Sequence, residues 1–206
     1  MFFSDTDREV YLRLAASSFD TVGVRALAYC LMTNHVHWVV TPISALARAF
    51  GALHGRYAQH VNAAAARSGH LWQNRFFSCA LDEVHTWAAV RYVEENPVRA
   101  ALVNRAECWR WSSASARLSL EHAPLDLDLT AWRERFTADE WRRFVDSEEV
   151  TEAEAMLRVN TYTGRPAGEA EFVRRAEVEL KRTLRARNGG RPRKVQAEPG
   201  QRMLFA

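Results

Sequence analysis

The segment YCLMTNHVHWVV, Tyr29–Val40, decides the predicted fold because it has strand character on both sides of a short polar break. β-Branched and aromatic residues dominate it, and Thr33-Asn34 supplies a bend, so the segment forms either one long strand or two joined strands. Its apolar residues occur on both faces, which is typical of a strand covered by other elements. The segment therefore predicts a covered sheet that carries an unusual pair of histidines, His35 and His37.

Helical patterns flank this segment. They cover Asp7–Phe19, Ala45–Gly69 and Asp82–Asn96. The second contains Gly51 and Gly55, where a helix can break, and the third has Asp82 as its predicted N-cap and stops before Pro97. Helices on both sides of a central strand segment predict the α+β class.

The character of the sequence changes near Leu118. Three segments of mixed charge follow, and each predicts a helix: Thr130–Val145, Glu148–Val159 and Glu169–Leu184. The last residues are rich in Gly, Pro and charge, which indicates disorder. We therefore predict three parts: a first domain at residues 1–117, a helical extension at residues 118–187, and a basic tail at residues 188–206.

Composition restricts the classes of protein to consider. No run of about 18 apolar residues is present, and the first residues lack the pattern of a secretory signal, so we expect no membrane association. Three scattered cysteines argue against a disulfide framework and favour the cytoplasm. Seven basic residues and no acidic one occur from Lys181 to Lys194, which indicates an anionic polymer as a partner or a solubilising tail.

The histidine pair predicts a binding site for a cation. Residues i and i+2 of a strand point to the same face, so His35 and His37 present two imidazoles about 6–7 Å apart at Cβ. Two imidazoles bind a divalent ion when a third ligand arrives from elsewhere. The alternative is a hydrogen-bonded pair at a sheet edge.

A tyrosine and an asparagine on the third helix offer the remaining groups. Tyr92 and Asn96 are four residues apart and therefore share one face of the helix. Beside a bound cation, an amide oxygen can be a ligand and a phenol a nucleophile. The alternatives are a half-buried core aromatic at Tyr92 and an ordinary helix end at Asn96.

Three segments together resemble one family. YCLMTNHVHWVV, GHLWQNRFFSC and RYVEENPVRAALV, in this order, resemble the single-tyrosine HUH transposases of the IS200-like superfamily, and most closely the REP-associated tyrosine transposases. The resemblance covers roughly residues 2–115 and implies a ferredoxin-like antiparallel sheet with helices. It also implies that His35, His37 and Asn96 bind Mg²⁺ or Mn²⁺ and that Tyr92 is the nucleophile. Other tyrosines lack a polar residue one turn later on a facing helix.

The resemblance further implies a reaction and its partners. A DNA strand transferase or nuclease of this type cleaves and rejoins single-stranded or hairpin DNA through a 5′-phosphotyrosine, which retains the phosphodiester energy. The absence of a GxxxxGK[ST] phosphate loop agrees with a reaction that needs no ATP. Relatives are often homodimers, and a protein with this function would associate with the nucleoid in the cytoplasm.

Candidate DNA contacts combine flat aromatic rings with positive charge. They are Trp72 and Arg75 in the basic-aromatic connector, Arg91 and Arg99 on either side of Tyr92, and Arg191, Arg193 and Lys194 in the AT-hook-like GRPRK sequence of the tail. Aromatic rings stack on unpaired bases, and arginines hold phosphates or enter narrow minor grooves. Phe76 and Phe77 offer further rings for stacking, whereas Trp72 and Phe76 have the alternative of lying in the core.

Two other functions stay open. Relatives usually begin with a further β-strand before the segment that starts at Phe2, and this sequence starts without that strand. A decayed transposase that binds DNA without cutting it is therefore an alternative. A small metallohydrolase unrelated to DNA is a third hypothesis, which only the histidine pair supports.

Overall fold

The computed structural model describes residues 1–43, 45–74, 76–118, 125–147 and 151–184. In chain order these residues form α1 (Asp5–Asp20), β1 (Val24–Leu31), β2 (Val36–Pro42), α2 (Leu46–Ala64), α3 (Glu83–Arg99), a 3-10 turn (Ala106–Cys108), α4 (Ala114–Leu118), α5 (Thr130–Arg135), α6 (Ala138–Val145), α7 (Glu152–Thr163) and α8 (Ala170–Leu180). The predicted α+β class with an antiparallel sheet is confirmed. The sheet has two strands within the described residues.

The central strand segment forms a hairpin. Strands β1 and β2 pair antiparallel, and the Met32 N–H donates to the His35 carbonyl at 3.0 Å to close the turn between them. Of the two alternatives for this segment, the structure therefore shows two joined strands. The register places Cys30 opposite His37 and places Tyr29 opposite Trp38. Because directly opposite residues share a face, His37 lies on the Cys30 face of the sheet.

The two faces of the hairpin are covered by different helices. Cys30 belongs to a buried cluster with Val90 of α3, whereas Tyr29 belongs to a second cluster with Tyr11 of α1 and Tyr57 of α2. Alternate residues of β1 therefore point to opposite layers, as the period of a strand requires. Helix α3 consequently covers the face that carries His37.

Helix α3 is longer than the sequence predicted. Its N-cap is Asp82 as predicted, and the Asp82 carboxylate accepts from the His85 backbone N–H at 2.9 Å. The predicted end before Pro97 is wrong, because the helix continues to Arg99. Proline disfavours helical backbone at the residue before it and removes one i→i−4 bond. Here the Ala100 N–H still donates to the Asn96 carbonyl at 2.9 Å and maintains the last turn.

Other element ends also differ from the predictions. Helix α2 runs without a break through Gly51 and Gly55. The segment Thr130–Val145 forms two helices, because a capping box between Thr137 and Glu140 starts α6 after α5 has ended. The predicted disordered tail lies outside the described residues. Among the helices that the structure describes, none has the length and hydropathy required to cross a bilayer.

Helices from the C-terminal part of the chain pack against α3 around a buried carboxylate. Glu94 is fully buried and accepts hydrogen bonds from Ser113 Oγ at 2.6 Å, from Trp141 Nε1 at 2.9 Å, and from the Arg117 guanidinium. A buried carboxylate requires such partners to offset its lost hydration. Helices α3, α4 and α6 therefore share one core. The proposed division after residue 117 stays a prediction.

Candidate active site

The structure brings the histidine pair and the tyrosine together. The rings of His35 and His37 are perpendicular, with centroids 4.8 Å apart. The ring of His37 is also perpendicular to the ring of Tyr92, at a centroid distance of 6.0 Å. Strand β2 supplies the His37 imidazole, the residue directly before β2 supplies the His35 imidazole, and α3, which packs on this hairpin, supplies the phenol.

Both histidines have a lowered pKa, which favours the neutral imidazole near pH 7. Burial, followed by the nearby His35 and Arg99, lowers the pKa of His37 to about 4, and burial lowers the pKa of His35. Neutral imidazole is the form that binds a metal ion. Nδ1 of His35 lies 2.7 Å from the Asn34 amide oxygen, so a proton on Nδ1 leaves the other ring nitrogen available as a ligand.

His37 also has an unsatisfied nitrogen. Its Nε2 is buried and has no hydrogen-bond partner among the described residues. A buried polar atom without a partner costs free energy, and the cost is removed when a ligand fills the position. The donor set at this position thus fits a divalent cation.

Asn96 lies one turn after Tyr92 on α3. Its amide nitrogen donates to the Tyr92 carbonyl at 2.8 Å, so its amide oxygen is the atom left for a ligand. In the described part of the chain, no group of three or more His, Cys, Asp or Glu side chains could hold a metal ion.

Two arginines contact the Tyr92 ring. The guanidinium carbon of Arg99 lies 4.2 Å from the ring centroid, and Arg99 also forms an ion pair with Glu95 and donates to the Tyr92 carbonyl. The guanidinium carbon of Arg158, on α7, lies 5.6 Å from the same centroid. A cation over an aromatic face is attractive, so these contacts fix the orientation of the ring. The sequence analysis did not identify Arg158, because nothing local to α7 distinguishes it.

Trp72 lies on the other side of the hairpin. Its ring stacks on His54 of α2 at 4.0 Å, and its indole N–H donates to the His54 carbonyl at 3.0 Å. Trp72 packs with the cluster that includes Tyr29, on the face opposite His37. The structure therefore does not bring Trp72 together with the histidine pair.

Arg91 does not reach the site either. Its side chain is 2% exposed and forms an ion pair with Glu154 of α7 at 3.4 Å. The predicted phosphate contact of Arg91 is incompatible with this burial and is corrected to a structural role. The remaining predicted DNA contacts, Arg75, Arg191, Arg193 and Lys194, lie outside the described residues.

Comparison with known proteins shows a family similarity for the N-terminal part of the chain. The family model for IS200-like transposases matches residues 1–96, a range that includes both histidines, Tyr92 and Asn96. No curated protein and no solved structure matches the chain. Residues 1–96 are therefore similar to the IS200-like transposases, and this match supports that superfamily for the chain.

Proposed function

We propose that this protein is a transposase that cleaves and rejoins single-stranded DNA with Tyr92 as its nucleophile. The observation that carries the proposal is the packing of the Tyr92 ring against His37, whose buried Nε2 has no partner among the described residues. A nucleophile must lie beside the group that neutralises the phosphate, since reacting atoms have to approach within about 3–3.5 Å. The juxtaposition of phenol and imidazoles supports this role.

His35, His37 and Asn96 would hold the divalent cation of the reaction. The low pKa of His37 and the free amide oxygen of Asn96 support this ligand set. When bound, Mn²⁺ or Mg²⁺ supplies positive charge that polarises a phosphoryl oxygen. The two nitrogen ligands favour Mn²⁺, because Mg²⁺ prefers oxygen ligands.

The chemistry of the chain itself follows from the phenol and its neighbours. The Tyr92 hydroxyl oxygen attacks the phosphorus and loses its proton, and the bond from phosphorus to the 3′ oxygen breaks. The 3′ oxygen leaves with the electron pair and takes up a proton, which gives a 5′-phosphotyrosine and a free 3′-hydroxyl. Attack by a 3′-hydroxyl on the phosphotyrosine reverses these bond changes and rejoins the strand. Arg99 holds the ring in place and places positive charge beside the incoming phosphate.

The resemblance to REP-associated transposases supports finer assignments. We propose hairpin-forming repeats as the substrate, a homodimer as the active form, and association with the nucleoid. Arg75 and the basic tail, with Arg191, Arg193 and Lys194, would contribute phosphate contacts.

The test is covalent capture of labelled DNA. Purified protein is incubated with a 3′-labelled single-stranded hairpin and Mn²⁺, because a 5′-phosphotyrosine retains the downstream fragment, and labelled adducts that survive SDS are counted. We expect an adduct with the wild-type protein and with Tyr29→Phe, whose buried hydroxyl has no hydrogen-bond partner in the described structure. Tyr92→Phe should give none.

Other results would support the other hypotheses. Hairpin binding without any adduct would indicate a decayed transposase that only binds DNA. No binding at all would contradict both versions of the proposal. An adduct that persists in Tyr92→Phe would assign the nucleophile to another residue.

A further inference from the structure

Two aromatic side chains are exposed together on the surface. Phe77 is 56% exposed and Tyr162, on α7, is 76% exposed. Their ring centroids lie 5.5 Å apart at an interplanar angle of 60°. Large aromatic side chains that remain in solvent as a pair indicate a binding surface.

This aromatic pair lies close to the Tyr92 ring. Tyr162 follows Arg158 by four residues, so both side chains lie on one face of α7, one helical turn apart. Arg158 in turn lies 5.6 Å from the Tyr92 ring centroid. The face of α7 that carries Arg158 and Tyr162 therefore extends from the Tyr92 ring to the aromatic pair.

Both parts of this surface are held in place. Glu154, one turn before Arg158, pairs with Arg91 inside the core and anchors α7 to α3. The segment that carries Phe77 contacts the residues that follow α7, because Cys79 Sγ donates a hydrogen bond to the Arg165 carbonyl at 2.9 Å. One buried ion pair and one partly buried hydrogen bond therefore hold the aromatic pair in place relative to Tyr92.

The charge around the aromatic pair selects the partner. Residues 155–168 contain Arg158 and Arg165 and no acidic residue. Among the described residues, Arg158 is an exposed residue and makes no ion pair. Flat rings next to an arginine suit a partner with both stacking groups and phosphates. Single-stranded DNA has both, whereas the bases of a duplex are already stacked on each other.

We propose that Phe77, Arg158 and Tyr162 form a binding track for single-stranded DNA that leads into the Tyr92 site. Arg158 binds a backbone phosphate next to the position of cleavage, and the aromatic pair stacks on an unpaired base beyond it. This inference rests on the proposed function, since Tyr92 marks where the strand is cut. It gives the helical extension the role of a substrate-binding element.

The test measures binding without cleavage, so it does not depend on activity. Full-length Tyr92→Phe protein in EDTA is titrated against a fluorescent single-stranded oligonucleotide, and the dissociation constant is read from anisotropy. Added to this background, Tyr162→Ala should weaken binding about tenfold, the usual loss for one stacked base, and Tyr162→Phe should retain most of the affinity. Arg158→Ala should also weaken binding and lower the slope of log K against log salt by about one.

The matched control is Val159→Ala, an exposed apolar residue on the same helix. It should leave the dissociation constant within about twofold of the background protein, because a side chain without a ring cannot stack on a base. Equal losses in Tyr162→Ala and Val159→Ala, or no loss in Tyr162→Ala, would overturn the track. If the track binds DNA but wild-type protein forms no adduct, the proposed cleavage fails and the binding track stands.

Discussion

Arg91 and Glu154 form an ion pair at 3.4 Å between the helix that carries Tyr92 and helix α7, and each side chain is only 2% exposed. Arg91 directly precedes Tyr92, and Glu154 lies one turn before Arg158. The pair therefore joins α3 to α7, and one turn further along α7 Arg158 lies over the ring of Tyr92. Helix α7 is thus a structural part of the candidate site.

Breaking this pair should destabilise the protein strongly. Glu154→Gln leaves the Arg91 charge buried without its carboxylate, and we expect the free energy of unfolding to fall by about 3 kcal/mol. Urea denaturation followed by tryptophan fluorescence measures the change.

The double variant Arg91→Met with Glu154→Leu is the control, because it removes both charges and keeps most of the volume. We expect its free energy of unfolding to lie within about 1 kcal/mol of the wild type. If Glu154→Gln alone is as stable as the wild type, the pair does not hold α7 on α3.

Metal binding should depend on the three proposed ligands. We expect Mn²⁺ to raise the melting temperature of the wild type, since a ligand that binds the folded state stabilises it. His37→Ala should abolish this increase. Asn96→Leu should lower the affinity for Mn²⁺ at least about tenfold, because even the loss of a residue that only orients a metal ligand lowers metal affinity by that factor. Asn96→Asp should bind Mn²⁺ as well as or better than the wild type, since a carboxylate oxygen replaces an amide oxygen.

The exposed His70 serves as the control for this experiment. His70→Ala should give the same Mn²⁺-dependent increase in melting temperature as the wild type. An unchanged increase in His37→Ala would show that the cation binds elsewhere.

The stability of the fold should fall in mild acid because of His54. Burial lowers the pKa of His54 to about 4, while an unfolded histidine has a pKa near 6.5. Between these values the unfolded chain binds a proton that the folded chain does not, so the free energy of unfolding decreases as the pH falls. This group contributes at most about 1.4 kcal/mol per pH unit, and its contribution is complete above pH 6.5. Urea denaturation at pH 7 and pH 5 should show a smaller difference for His54→Gln than for the wild type.

Local periodicity predicted which side chains share a face. The period of two in a strand placed His35 beside His37, and the period of the helix placed Asn96 one turn after Tyr92. These relations depend only on residues close in the chain, so they could be inferred without a structure. The segment around Pro97 was predicted wrongly, because the rule for the residue before proline is statistical and the packing of α3 overrode it.

Contacts between distant parts of the chain could not be predicted in the same way. From the sequence alone, a charged residue such as Arg91 is predicted to be exposed to solvent. Its partner Glu154 lies in a separate helix, and no sequence pattern indicates that the two residues form an ion pair. The same holds for Arg158, which reaches Tyr92 only because α7 docks on α3. Tertiary packing, and not local pattern, decides which face of a charged helix is buried.

Ala101 offers a test of backbone strain just after α3. It has a φ of 53°, in the left-handed region that costs an alanine roughly 1 kcal/mol relative to glycine, and its side chain is exposed. We expect Ala101→Gly to raise the free energy of unfolding by up to about 0.5 kcal/mol, because the relief of strain outweighs the added freedom of the unfolded chain. Ala100→Gly is the matched control, since Ala100 has a φ of −85° and gains nothing from glycine. It should lower the melting temperature, and a higher melting temperature for both variants would contradict the explanation by strain at residue 101.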